Sequence, residues 1–206
     1  MKSYVSAAVR KGENEMTKSA RLRDLETMTM DCFECDLRNG CKGVVFGEGN
    51  VDSPVWVVAD TPLAGRALEL LTHMLDEAGF QRSDVYITTL VKCHSKGMKP
   101  NAEQIQRCLP WLRKQFSILK PSMILLLGLA AANPILDLDK DMTMKKCRGK
   151  WFLRKKTLMM PLYHPGSVVR NPIWREILID DLSRVKKACE DSLDFKDFKD
   201  QQLLIS

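Results

Sequence analysis

Four of the seven cysteines have a spacing that chemistry can use. Cys32-Phe-Glu-Cys35 is a CxxC turn, and Cys93 and Cys108 form a wider pair with fourteen residues between them. A CxxC turn places two thiolates on one metal ion or one cluster edge, and a fold that brings the second pair alongside completes a four-thiolate set. Such a set suits an iron–sulfur cluster, and it suits a structural zinc equally well, so the spacing alone leaves both open. A thioredoxin-like redox pair opens a helix in a βαβ unit, whereas this pair precedes the first strand-like run. Cys41, Cys147 and Cys189 lack such partners and read as ordinary thiols, with Cys41 the substitute ligand if one assignment is wrong. The odd cysteine count argues against a disulfide framework, and MKSYVSAAVRKGENEM has no apolar leader core, so a reducing, cytoplasmic location is expected.

The elements that must position these thiols read as an α/β pattern. Four short apolar runs, PVWVVA (54–59), DVYITTL (84–90), SMILLLG (122–128) and TLMMPLY (157–163), are bounded by Pro, Gly or Asp, as strands buried on both faces are. Helical spacing lies between and after them: Leu68, Leu71, Met74 and Leu75, then Ile105, Leu109, Leu112 and Phe116, then Trp174, Ile177, Leu178 and Leu182. The alternation predicts a three-layer αβα domain around a central four-stranded, mostly parallel sheet, with its ligand site beyond the strands' carboxyl ends. Function is therefore expected just after residues 59, 89, 128 and 163. Residues 1–27 read as a helical lead-in with Leu22, Leu25 and Met28 on one side, 28–190 as the single domain, and 191–206 as a polar, frayed tail. In that tail Gln202-Leu203-Leu204-Ile205 only loosely resembles a sliding-clamp peptide.

A chain of 206 residues, 45% hydrophobic and 28% charged, fits one globular core. No apolar run nears the ~18 residues of a membrane span, so no membrane association is expected. The net charge of +6 suits a polyanionic partner without identifying one.

Read in order, CFECDLRNGCKGVVFGEGN, VWVVADTPLAGRALELL, DVYITTLVKCHSKGMKP, IQRCLPWL, KPSMILLLGLAA, CRGKW and LYHPGSVVRN resemble the family 4 uracil-DNA glycosylases over roughly residues 28–185. The resemblance implies a four-iron, four-sulfur cluster on Cys32, Cys35, Cys93 and Cys108, which moves the choice from zinc to iron–sulfur. It also implies base-excision chemistry, the hydrolysis of an N-glycosidic bond in a base flipped out of single- or double-stranded DNA. His164, in the HPxxxxR stretch, would be the donor at the base oxygen. Gly166, Ser167, Val168, Val169 and Arg170 would form a loop entering the duplex, with Val168 or Val169 as an apolar wedge and Arg170 on a phosphate. The alternative for that loop is a plain connection, with Asn171-Pro172 starting the last helix. Arg148, Lys150, Arg154, Lys155 and Lys156 would add phosphate contacts or form a solvated face. His73 and His94 are read as surface residues.

The pattern departs from the family in the pocket. Ala59-Asp60-Thr61-Pro62-Leu63 leads straight into Ala64-Gly65-Arg66, so part of the family's loop and its stacking aromatic are missing. Asp60 remains as the group to position water, Thr61 and Pro62 as pocket wall, and Thr89 stands where the family has an asparagine. A hydroxyl cannot reproduce the donor-and-acceptor contact of an amide. Two functions follow: a glycosylase for uracil or a modified pyrimidine, or a silent homologue that binds DNA within a replication or repair complex.

Overall fold

A computed structural model describes residues 17–94 and 99–191 and the backbone of 203–204. Its centre consists of the four expected strands. β2 (Val55–Ala59) pairs in parallel with β3 (Val85–Thr89) and with β4 (Met123–Leu127), and β4 pairs in parallel with β6 (Thr157–Leu162). Three short strands widen this sheet: β1 (Glu48–Gly49) runs antiparallel to β3, β5 (Phe152–Arg154) antiparallel to β6, and β7 (Leu203–Leu204) parallel to β5. The order is β1-β3-β2-β4-β6-β5-β7. At Leu203 and Leu204 the tail thus pairs as an edge strand where fraying was expected, while the flanking Gln202 and Ile205 lie outside the described residues.

Strand residues alternate between two cores. Val55, Val57, Met123, Leu125 and Met160 face one cluster, and Trp56, Val58, Ile124, Leu126 and Met159 face the other. All five residues of β2, β3 and β4 are buried, because both faces are covered. One layer contains α3 (Arg66–Glu77) and α8 (Trp174–Glu190), and the other α1 (Lys18–Met30), α4 (Ala102–Leu119) and α5 (Leu129–Leu136).

The helix faces sharpen the sequence reading. In α1 the inward residues are Leu22, Leu25 and Thr29, and Met28 points outward at 54% exposure. Positions 22, 25 and 29 share one helical stripe, and Thr29 can occupy it because its hydroxyl donates to the Leu25 carbonyl at 2.7 Å. α8 begins at Trp174, after a turn through Pro172, so Asn171-Pro172 does not open it. The short helices α2 (Leu37–Gly40), α6 (Met144–Cys147) and α7 (Pro165–Arg170) lie below the length that periodicity detects. Among the described residues no helix is long and apolar enough to cross a membrane.

Candidate functional site

Asp60, Leu90, Gly128 and His164 follow the last residues of β2, β3, β4 and β6 or lie just beyond them, so the four predicted positions meet at one sheet edge. Backbone bonds continue past β3, with Leu90 N–H donating to Ala59 O at 2.9 Å and Val91 N–H to Asp60 O at 3.0 Å. Gly128 N–H donates to Leu162 O at 2.8 Å. Gly128 has φ +82°, and a Cβ there would stand 3.3 Å from His164 Cβ, so glycine both makes the turn and leaves the histidine its space. On the other side, the Tyr163 and Trp174 rings stack at 4.7 Å, pinning the residue before His164 to the start of α8.

His164 is the N-cap of α7, and its Nδ1 accepts a hydrogen bond from Gly166 N–H at 3.0 Å. A nitrogen that accepts carries no proton, so in the neutral ring the proton sits on Nε2. Burial lowers the His164 pKa, with Asp60 opposing that shift and Arg170 adding to it, which favours the neutral ring. Nε2 is buried, makes no hydrogen bond and lies 3.7 Å from Asp60 Oδ1. The arrangement is an oriented N–H donor beside a carboxylate, each part-exposed at the strand ends.

Thr89 is placed beside this pair in sequence but its hydroxyl is engaged: it donates to Val91 O at 2.8 Å and is 2% exposed. Thr61 and Pro62 are half-buried between Asp60 and Gly65, the N-cap of α3.

The segment expected as a DNA-entering loop is the helix α7. A helical register sends adjacent residues to different faces, so Val168 is 2% exposed in the core while Val169 is 37% exposed. Val168 is therefore not placed to act as a wedge, and of the two valines only Val169 faces outward. Ile173, 72% exposed and unremarked in the sequence, stands just beyond it. Arg170 is exposed and donates to Ser167 Oγ at 3.1 Å.

The basic run divides. Gly149 N–H bonds Pro161 O, which holds Arg148 and Lys150 near the carboxyl end of β6, whereas Arg154, Lys155 and Lys156 form the turn at its amino end. Six residues of strand separate the two groups, roughly 20 Å at ~3.3 Å each. Lys150 is exposed, but Arg148 donates to fully buried Asp181 Oδ2 at 2.6 Å. Arg148 is a staple between this loop and α8 and is not free for phosphate.

Cys32, Cys35, Cys93 and Cys108 line one narrow recess together with Arg38, Arg107 and Trp111. The two pairs come from opposite sides: the CxxC turn follows α1, Cys93 lies in an isolated bridge with Val44, and Cys108 is buried on α4. Burial and the neighbouring Cys41, Cys108 and Cys35 push the Cys93 thiol up to about 12, and burial raises Cys108 although Lys92 opposes it. Left to themselves these thiols stay protonated, so only a cationic centre would hold them as thiolates. Among the described residues no three His, Cys, Asp or Glu converge on a single metal ion. Four thiols around one recess are a donor set that an iron–sulfur cluster and a zinc ion both accept. Lys92 N–H donates to Cys108 Sγ at 3.3 Å. Its ammonium is fully buried and bonds Thr88 Oγ1 and Gln115 Oε1, both at 2.6 Å, and Phe46 O at 3.1 Å.

The outlying cysteines separate as expected, with one refinement. Cys147 is buried on α6 and Cys189 lies on α8 at 3.5 Å from Met123 Sδ, while Cys41 packs beside Cys93 in the small cluster around the recess. His73 is exposed on α3. His94, expected at the surface, is half-buried, because its backbone pairs with Lys42 and Gly43; its Nδ1 is buried without a hydrogen bond.

Residues 46–185 match the family model of the uracil DNA glycosylase superfamily. The chain belongs to the uracil-DNA glycosylase superfamily. It is 33% identical to the Type-4 uracil-DNA glycosylase of Pyrobaculum aerophilum over 79% of this chain and 91% of that one. The Type-4 enzyme of Saccharolobus solfataricus is 33% identical over 76% of this chain and 81% of its own, and that of Archaeoglobus fulgidus 31% over 82% and 93%. The superfamily match takes in Asp60, Thr89, Cys93, Cys108 and His164 and begins after Cys32 and Cys35. Gly128 and Lys92 were missed in the sequence. Gly128 could have been found as the glycine ending a strand at a predicted site position, whereas nothing local marks Lys92, one residue before Cys93, as buried.

Proposed function

We propose that this superfamily member is a DNA glycosylase that hydrolyses the N-glycosidic bond of a flipped-out uracil or modified pyrimidine. The observation that supports this most is the unspent Nε2–H of His164, aimed across the strand ends toward Asp60. Cleavage of the bond sends its electron pair to the base and leaves a sugar cation. A fixed N–H at the base oxygen stabilises the departing anion, and an oriented donor of this kind typically contributes 10²–10³-fold. Asp60 would stabilise the cation and hold the attacking water, whose oxygen bonds to the sugar carbon while its proton passes to the carboxylate and on to solvent. Lys150 and Arg170 would contact phosphates, and Val169 would fill the gap left by the flipped base.

A cluster on Cys32, Cys35, Cys93 and Cys108 would supply a structural clamp between the segment after α1 and the stretch 93–108. The altered pocket favours a second reading, in which the protein binds DNA silently, because the Thr89 hydroxyl is spent on its own backbone. One assay separates the two. Labelled single- and double-stranded oligonucleotides with uracil or 5-substituted uracils are incubated with the protein and abasic sites are cleaved with alkali. Scission that disappears in His164→Ala is the expected result; binding without scission on every substrate establishes the silent reading.

A further inference from the structure

A second concavity lies at the sheet edge opposite His164. It is an open groove of about 640 Å³ between α4, the end of α5 and the β5–β6 turn. Its floor is apolar, made by Leu109, Phe116, Ile135 and Met159, and its rim holds Arg113, Lys120, Arg154 and Lys155. The lining residues include these four cations and no carboxylate. Arg154 Nη1 donates to Ile135 O at 2.9 Å, closing one end of the groove. Lys120 and Lys155 both adopt left-handed backbone, φ +50° and +57°, where glycine or asparagine fits with less strain. Each places a cation at the groove's edge nonetheless.

We propose that this groove docks an acidic amphipathic segment of a partner protein, its apolar side chains on the floor and its Asp or Glu side chains against the rim. Phosphate contacts alone make no use of an apolar floor, and a DNA strand engaged at His164 meets the other end of the sheet. An apolar stripe flanked by carboxylates uses both halves of the lining, the mode in which amphipathic helices occupy grooves. The rim charges would speed encounter and make binding salt-sensitive.

The test uses the full chain and a fluorescent 18-residue helical peptide with leucine and phenylalanine at i, i+3, i+4 and i+7 and glutamate elsewhere. Anisotropy should show binding that weakens about tenfold or more in Arg113→Glu/Lys120→Glu and falls with added salt. A control peptide with lysine in place of glutamate should not bind, and affinity for a uracil-free oligonucleotide should stay unchanged in the same variant. Equal peptide binding by the variant overturns the proposal, as does an equal loss of oligonucleotide affinity, which would make the groove a nucleic-acid surface. Peptide binding that appears only after truncation beyond Asp191 also overturns it, since the chain's own acidic tail would then be the occupant.

Discussion

The His164 edge and the cysteine recess are both assembled from distant pieces of chain, yet they differ in what each leaves unsatisfied. At the His164 edge the protein does nearly all the satisfying itself. Nδ1 accepts from Gly166 N–H, Thr89 donates to Val91 O and Arg148 to Asp181, while Nε2–H has no hydrogen-bond partner and faces the Asp60 carboxylate. In the recess the thiols meet other thiols, and burial raises the pKa of Cys93 and Cys108, so the polypeptide favours their protonated form. One site is finished by folding, and the other leaves its buried thiols in the protonated form. Substitutions at the two should therefore fail in different ways.

The largest effect is expected in the recess. Cys108→Ser should abolish the visible absorbance of anaerobically purified protein and lower its melting temperature; a colourless wild type containing zinc would reject the cluster. At the other edge, His164→Ala should keep the absorbance and lose about 10²–10³-fold in base release. Its lost cap costs about 1 kcal/mol, which a small drop in melting temperature would report.

The two valines of α7 separate packing from contact. Val168→Ala removes two buried methyl-sized groups and should cost about 1–2 kcal/mol in urea unfolding with little change in DNA affinity. Val169→Ala should leave the unfolding midpoint in place and reduce activity a few-fold on duplex, less on single strands. The reverse pattern would place Val169 in the core and restore Val168 as the wedge.

The smallest effect is one of pH. The folded His164 pKa lies below the unfolded value of ~6.5, so between the two the unfolded chain holds more protons and stability rises with pH. This contribution is present above about pH 6.5 and is lost as pH falls toward the folded pKa. His164→Asn, which keeps a side-chain acceptor for Gly166 N–H, should show a smaller fall in urea midpoint between pH 7.5 and 5 than the wild type. An identical fall in both proteins would mean that His164 is no more buried than in the unfolded chain.

The four central strands, three principal helices and the cysteine pairs are legible along the chain, because continuous apolar runs, helical spacing and a CxxC turn are local signals. So is the position of Asp60 and His164 at strand ends, since alternating strands and helices put every such end on one edge. Only the tertiary structure decided that these two residues meet at 3.7 Å, that His164 carries its proton on Nε2, and that Val169 and not Val168 faces out. The same holds for the basic run, which reads as one patch along the chain but is split by a strand between the two ends of the sheet. Facing, tautomer and burial depend on neighbours distant in sequence, and the fully buried Lys92 side chain shows the consequence: its partners at Phe46, Thr88 and Gln115 come together only when α4 closes on the sheet.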